Sequence, residues 1–147
     1  MFLRLLRRKK LASKEFKLAK ILFADDDILL GDAVSHELES CGHQVTVADN
    51  GFNVLSVALR IRPDIIILDN LMPGLTAREV MPVLKRDNRT MTIPVLLLTS
   101  QTNKHDGTNA YGTGAEDYMT KPFSAEELAD RVSMLLGSQQ SMQQLQL

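Results

Sequence analysis

The chain has 147 residues, 44% of them apolar and 24% charged, so its length and composition are typical of a single globular domain. Its one cysteine excludes an internal disulfide, and no run of residues approaches the roughly 20 apolar positions that a membrane-spanning helix needs. Residues 1–20 carry a formal charge of +7 and residues 21–147 carry −8, and a body with this negative field is not expected to bind nucleic acid.

Residues 1–19 form a basic N-terminal extension. Several of its apolar side chains fit one face of a helix, and a basic amphipathic helix can lie on an anionic membrane surface or dock on a partner. We favour a solvated extension over both of these contacts. The apolar run is too short and too interrupted by charges to be the core of a signal peptide. The rest of the sequence divides into a domain at residues 20–137 and a Gln-rich tail or linker start at residues 138–147.

Short apolar runs alternate with longer helical segments through the predicted domain. Five runs suit buried strands, at residues 21–25, 44–48, 64–69, 94–99 and 117–120. Five segments have helical spacing, at about 29–41, 51–61, 76–86, 104–113 and 124–136. Strands without polar alternation are covered on both faces, and intervening helices supply the crossovers. The pattern therefore predicts an α/β fold with a five-stranded parallel sheet, doubly wound as (βα)5.

Local signals mark several helix ends. Residues 76–79 and 124–127 both fit a capping box, in which a hydroxyl and a carboxylate satisfy opposite backbone amides. Gly42 and Gly137 are plausible helix stops. Cys41 precedes the first of these glycines near a predicted helix end, so we expect a small buried thiol there. Because a single cysteine forms no internal disulfide, the expected setting is reducing and cytoplasmic.

Polar residues follow the predicted strands at one edge of the sheet, where ligands of open parallel sheets bind. Three aspartates, at residues 25–27, follow the first strand; Asp69 ends the third, Thr99 the fourth, and Lys121 follows the last. Carboxylates this close together repel one another unless a cation is present, and an oxygen-rich set with few protein ligands suits Mg²⁺. An aspartate can also act as a nucleophile toward phosphorus. The pattern predicts a Mg²⁺-assisted phosphoryl-transfer site centred on an aspartate.

The segments ILFADDD, DIIILDNLMPG, PVLLLTS and GAEDYMTKPF resemble the signature segments of a bacterial response-regulator receiver domain. They occur in the order and spacing of that family, over about residues 20–137. The resemblance implies a flavodoxin-like fold in a two-component system. It also implies that the domain takes a phosphoryl group from a histidine kinase or phosphotransfer protein, with Mg²⁺, and then switches a protein-interaction surface.

By position, Asp69 matches the phosphoacceptor of the family. Asp25 and Asp26 match the two acids that hold Mg²⁺ beside it, with Asp26 as the expected direct ligand, and the third metal contact falls on the backbone carbonyl of Leu71. We assign the remaining aspartate of the cluster, Asp27, only to the loop and to the helix start, where a carboxylate suits the helix dipole.

The other matched residues lie on the last two predicted strands. Thr99 matches the hydroxyl that turns toward the phosphoryl group, and Lys121 matches the lysine that pairs with its oxygens. The bond from Lys121 to Pro122 is the one that is usually cis in this family. Tyr118 matches the aromatic whose rotamer follows the switch, together with a shift of the predicted helix 104–113.

Two features depart from the family pattern. The loop after Met72-Pro73 reads GLTA at residues 74–77 and lacks an Asp-Gly turn, so we expect the chain to enter the third helix differently. Leu71 has no group that positions a water molecule, which predicts slower hydrolysis of the acyl phosphate than a polar residue would allow.

Two other functions remain open at this point. Asp25 and Asp27 form an Asp-x-Asp pair after a strand, as in haloacid-dehalogenase-type phosphatases, although that interpretation leaves Asp69 and Lys121 unexplained. A pseudo-receiver, which binds other proteins without accepting phosphate, is the third possibility. We expect no enzymatic activity beyond assistance to the domain's own phosphorylation and dephosphorylation. The resemblance implies a partner for the switched surface: an output domain, a target protein, or a second copy of the chain in a phosphorylation-dependent dimer.

Overall fold

The computed structural model describes residues 18–100 and 114–145, with side chains up to residue 137. The described strands are β1 (Lys20–Ala24), β2 (Gln44–Ala48), β3 (Ile65–Asp69), β4 (Val95–Ser100) and β5 (Asp117–Lys121). The described helices are α1 (Ile28–Ser40), α2 (Gly51–Ile61), α3 (Ala77–Arg86) and α4 (Ala125–Leu145). None of these helices is both long enough and apolar enough to cross a membrane. The predicted helix at 104–113 and most of the N-terminal extension lie outside the described residues.

The five strands pair in parallel, in the order β2-β1-β3-β4-β5. Every residue of β3 is buried, because this strand lies at the centre of the sheet and helices cover both of its faces. The predicted α/β fold with a doubly wound, five-stranded parallel sheet is therefore confirmed.

The sheet separates two apolar layers. On one face, α2 and α3 pack over side chains such as Leu22, Ile66 and Leu97. On the other face, α1 and α4 pack over side chains such as Phe23 and Ile67. Alternate residues of each strand therefore contribute to opposite layers, which is why the strands read as unbroken apolar runs.

Two helices begin at the predicted capping residues. Before α3, the carboxylate of Glu79 accepts hydrogen bonds from the backbone N–H of Thr76 at 3.3 Å and from its hydroxyl at 3.1 Å. Before α4, the hydroxyl oxygen of Ser124 accepts the N–H of Glu127 at 3.0 Å. Both helix starts are confirmed by these contacts.

The two glycines that predict helix stops behave differently. Gly42 has a φ of +97°, and the N–H groups of Gly42 and His43 donate to the carbonyls of Glu39 and Leu38 at 2.9 and 3.1 Å, which is a Schellman motif. The predicted stop at Gly137 is wrong. This residue does not take a positive φ, and α4 continues through it, since one glycine costs a helix only about 1 kcal/mol. Helical structure thus extends into the segment assigned to the Gln-rich tail.

The predicted burial of Cys41 is also wrong, because the residue is exposed. Cys41 is the C-cap of α1, and its backbone N–H donates to the carbonyl of Leu38 at 3.1 Å. The residue type favours burial, but the end of a surface helix places the side chain outside the core.

The loop between β3 and α3, residues 70–76, turns at Gly74 and rests on the start of α2. Gly74 has a φ of +91°, a conformation that glycine adopts without strain. The N–H of Gly51 donates to the carbonyl of Pro73 at 3.0 Å. A Cβ atom at Gly51 would lie 2.0 Å from the carbonyl oxygen of Leu75, so this close approach of two backbones requires glycine.

Gly51→Ala should therefore lower the free energy of unfolding by about 1–3 kcal/mol, because the added methyl group displaces the 70–76 loop. Gly137→Ala is the matched control: its Cβ would meet no described atom within 4 Å, and it should raise the free energy of unfolding by up to about 1 kcal/mol. Urea unfolding followed by circular dichroism measures both. Equal effects of the two substitutions would contradict the close packing at Gly51.

Candidate functional site

Three acidic side chains meet beyond the carboxyl ends of β1 and β3, which are neighbours in the sheet. Asp25 follows β1 directly and is 2% exposed, whereas Asp69 ends β3 and is 7% exposed. Asp26 is exposed. One carboxylate oxygen from each of the three lies within 4.8 Å of the others. The sheet thus brings together acids that are more than forty residues apart in the sequence.

Lys121, the last residue of β5, reaches these buried acids from the other side. Its Nζ lies 2.7 Å from Oδ2 of Asp25 and 3.5 Å from Oδ2 of Asp69. The side chain crosses the end of β4 to do so, since β4 lies between β5 and β3. The bond between Lys121 and Pro122 is cis, as the resemblance implies.

Asp25 also organises the loop that follows β1. Its Oδ1 accepts the N–H of Asp27 at 3.0 Å, while its Oδ2 accepts a hydrogen bond from Lys121. Asp27 in turn caps α1, with its Oδ1 accepting the N–H of Leu30 at 3.1 Å. The assignment of Asp27 to the helix start is confirmed. Within residues 18–100 and 114–137, Asp26 is then the acid of the cluster to which no group donates a hydrogen bond.

The electrostatics of the site centre on Asp69. Burial raises the pKa of Asp69 to about 6, and the nearby charge of Asp25 acts in the same direction. Lys121 and the N–H of Leu71, which donates to the Asp69 carboxylate, oppose that rise. Burial would lower the pKa of Lys121, but its hydrogen bond to Asp25 and the charges of both acids outweigh burial and raise that pKa. A further cation at this edge would favour the ionised form of Asp69.

The remaining predicted residues lie in the loop after β3 and on the last two strands. Thr99 is half-buried on β4, and its hydroxyl donates to the carbonyl of Met119 on β5 at 3.4 Å. Tyr118 is half-buried and packs against the apolar layer under α2 and α3. Leu71, two residues after Asp69, is 56% exposed. In the described part of the chain, the hydroxyl of Thr99 is therefore bonded to β5 and not to the acids.

Sequence reasoning missed the residues that hold the loop beside Asp69. Gly51 and Phe52, at the start of α2, contact the backbone of residues 73–75. The available signal was Asn50, which caps α2 by accepting the N–H of Asn53 at 3.0 Å. An N-cap residue indicates where a helix starts, but it does not indicate which loop packs against the first turn of that helix.

Comparisons with known proteins agree with this geometry. The model of the response regulator receiver domain matches residues 21–133. The DNA-binding dual master transcriptional regulator RpaA of Synechocystis sp. is 41% identical over 117 residues, which are 80% of this chain and 48% of RpaA. The protein PilH of Pseudomonas aeruginosa is 34% identical over 120 residues, which are 82% of this chain and 99% of PilH.

One similar solved structure is the receiver domain of the sensor histidine kinase PA1611 of Pseudomonas aeruginosa PAO1, with a magnesium ion coordinated in its active site cleft. It is 26% identical with a TM-score of 0.75, and the match covers 82% of this chain and 99% of that domain. The chain spans about half the length of the first curated relatives it matches. Fold, family match and relatives agree, and the chain belongs to the receiver domain family of the response regulators of two-component systems.

Proposed function

We propose that the chain accepts a phosphoryl group on Asp69 from a phosphohistidine of a kinase or phosphotransfer protein. One observation carries the proposal: the buried carboxylate of Asp69, with its raised pKa, lies within 3.5 Å of the Lys121 ammonium and beside two further carboxylates. A nucleophilic oxygen and a cation that can neutralise phosphoryl oxygens are therefore adjacent. This is the arrangement that phosphoryl transfer needs.

In the transfer, a carboxylate oxygen of Asp69 bonds to phosphorus as the N–P bond of the donor phosphohistidine breaks. The products are an acyl phosphate on Asp69 and a histidine on the donor. Lys121, now bonded to Asp25 at 2.7 Å, turns its Nζ toward the incoming oxygens and stabilises their charge. The buried position of Asp69 limits access of water to the reacting oxygen.

The donor set at this edge fits Mg²⁺, because it is made only of oxygen atoms and has one solvent-exposed member. Asp26 would bind the ion directly. Asp25, whose two oxygens already accept hydrogen bonds, would hold it through water, and Asp69 and the backbone carbonyl of Leu71 complete the set. When bound, the ion supplies positive charge that keeps Asp69 ionised and neutralises phosphoryl oxygens.

Phosphorylation would also offer Thr99 a better acceptor. Its hydroxyl now donates to a neutral carbonyl, that of Met119, at the long distance of 3.4 Å. A phosphoryl oxygen is charged and makes a stronger hydrogen bond, so the hydroxyl turns inward and Tyr118 follows it. The surface formed by β5 and its surroundings then differs between the two states. An output domain, a separate target protein or a second copy of the chain would bind that surface.

The geometry does not favour the phosphatase alternative. That mechanism needs Asp25 as nucleophile and Asp27 as general acid, but Asp25 is 2% exposed and bonded to Lys121, and Asp27 caps α1. We therefore propose a signalling phosphoacceptor rather than an enzyme with turnover. A pseudo-receiver is less consistent with a site that retains both Asp69 and Lys121. We place the domain in the cytoplasm, where a receiver meets its kinase.

The test is phosphorylation by acetyl phosphate with Mg²⁺, followed by intact-mass measurement. Wild type should gain one phosphate adduct, and Asp69→Ala should gain none. Asp27→Asn is the matched control, because this substitution alters an acid of the same cluster that we assign only to the helix cap. It should label like wild type.

Adducts on both wild type and Asp69→Ala would refute the assignment of the phosphoacceptor. Turnover of a phosphomonoester that depends on Asp27 would support the phosphatase instead. Absence of any adduct on wild type, with the fold intact, would favour the pseudo-receiver.

A further inference from the structure

An exposed aromatic ring covers the turn of the loop that follows the phosphoacceptor strand. Phe52, the second residue of α2, is 62% exposed. Its ring packs against Gly74 so closely that a Cβ atom at Gly74 would lie 2.8 Å from Cδ2 of Phe52. The ring thus gains little from burial in the core, and its contact is with the 70–76 loop.

The start of this loop connects the acids to two neighbouring elements. The N–H of Asn70 donates to the carbonyl of Leu98 on β4 at 2.9 Å, and the carbonyl of Asn70 accepts the N–H of Ala77 on α3 at 3.3 Å. The next residue, Leu71, donates its N–H to the carboxylate of Asp69. The backbone of Leu71 therefore lies directly beside the site.

The far half of the loop is held from α2, and also by the capping contacts of Thr76 with Glu79 on α3 and by the Leu75 side chain, which packs against the core. The N–H of Gly51 donates to the carbonyl of Pro73 at 3.0 Å, and the backbone of Leu75 lies against the Cα of Gly51. Phe52 adds the third contact, over Gly74. Leu71 lies between the two halves, so the position of its backbone depends on the first turn of α2 as well as on β3.

We propose that Phe52 is a positioning residue for divalent-metal binding, because its ring holds the 70–76 loop in place and thereby holds the backbone of Leu71 toward Asp69. The inference rests on the proposed function, in which the carbonyl of Leu71 is a metal ligand. The contact described for the Phe52 ring is with Gly74, so its effect on the acids is expected to pass through the loop. Removal of the ring loosens the loop and weakens metal binding while the acids themselves remain in place.

The test compares Phe52→Ala with Phe52→Tyr, which keeps the ring, and with Met134→Ala, which removes a side chain of similar exposure, 67%, on α4. Mg²⁺ affinity is measured by isothermal titration calorimetry, and amide hydrogen exchange by NMR without Mg²⁺. We expect Phe52→Ala to weaken Mg²⁺ binding about tenfold. It should also speed exchange of the Leu71 amide while the β3 amides exchange as in wild type. Phe52→Tyr and Met134→Ala should match wild type in both measurements.

Wild-type exchange at Leu71 in Phe52→Ala would overturn the proposal, as would uniform acceleration across β3, which would assign Phe52 to general stability. Unchanged Mg²⁺ affinity in Phe52→Ala would also overturn it. If wild type itself binds no Mg²⁺, the proposed metal site fails, and the exchange of the Leu71 amide alone decides whether Phe52 positions the loop.

Discussion

Lys121→Met is expected to slow phosphorylation of Asp69 by acetyl phosphate about 100-fold, because the loss of one charged donor removes that much transition-state stabilisation at comparable sites. The Nζ of Lys121 lies 2.7 Å from Oδ2 of Asp25 and 3.5 Å from Oδ2 of Asp69, and Lys121 is the cation paired with these acids in the described residues. Its removal also raises the pKa of Asp69 further, since Lys121 lowers that pKa in the wild type. The rate is measured from the time course of the phosphate adduct by intact mass.

A measurement of Mg²⁺ affinity distinguishes slower phosphorylation caused by the lost charge of Lys121 from slower phosphorylation caused by misfolding of the variant. Lys121→Met leaves Asp25 and Asp69 without their cation, so Mg²⁺ should bind more tightly to the variant than to wild type while phosphorylation slows. Lys121→Arg retains the charge and should keep more of the rate. If Lys121→Met phosphorylates as fast as wild type, Lys121 has no role in the transfer.

Asp69→Asn should stabilise the metal-free domain at pH 7 by about 2–3 kcal/mol, since a pKa difference of one unit corresponds to about 1.4 kcal/mol. The pKa of Asp69 is about 6 in the folded state against a model value of 3.8. The folded state therefore binds the proton more tightly than the unfolded chain. The cost of ionising Asp69 is absent below pH 3.8 and fully present above about pH 6, so the free energy of unfolding of the wild type falls across this range relative to the variant.

With Mg²⁺ present, wild type should become more stable than Asp69→Asn. An ion that binds only the folded state stabilises it in proportion to the logarithm of its concentration, and Asp69→Asn lacks one of the proposed ligands. Urea unfolding at pH 4 and pH 7, with and without Mg²⁺, measures both effects. Equal free energies of unfolding of wild type and Asp69→Asn at pH 7 without metal would contradict the raised pKa of Asp69 in the folded state.

The strands and the acidic edge could be predicted because their causes are local or follow from the topology. The run of apolar residues in β3 reflects burial on both faces, and Asp69 ends it at the edge where parallel strands collect their ligands. Asp25 and Lys121 could be placed at the same edge for the same reason. The raised pKa of Asp69 was not predictable, because the rise depends on its burial in the fold and on the nearby charge of Asp25.

The wrong or missing predictions concern residues whose backbone conformation, burial or contacts depend on the tertiary structure around them. Gly42 and Gly137 are the same residue type near a helix end, but only Gly42 takes the left-handed conformation that ends a helix. Cys41 is exposed because it caps a surface helix, although cysteine is usually buried. Phe52 carries no recognisable signal, because its partner, the turn at Gly74, belongs to a different β-α unit of the fold.

The order of the strands makes the two sides of the site differ in how many strands support them. Asp25 and Asp26 follow β1, which is hydrogen-bonded to β2 on one flank and to β3 on the other. Lys121 ends β5, which lies at the margin of the sheet and, within residues 18–100 and 114–145, pairs with β4 alone. A strand held on one flank yields to a force more readily than a strand held on two. If Asp69 accepts the phosphoryl group as proposed, the added charge would face acids that follow a strand paired on both flanks and a lysine on a strand paired on one flank, so displacement is expected at β5 rather than at β1.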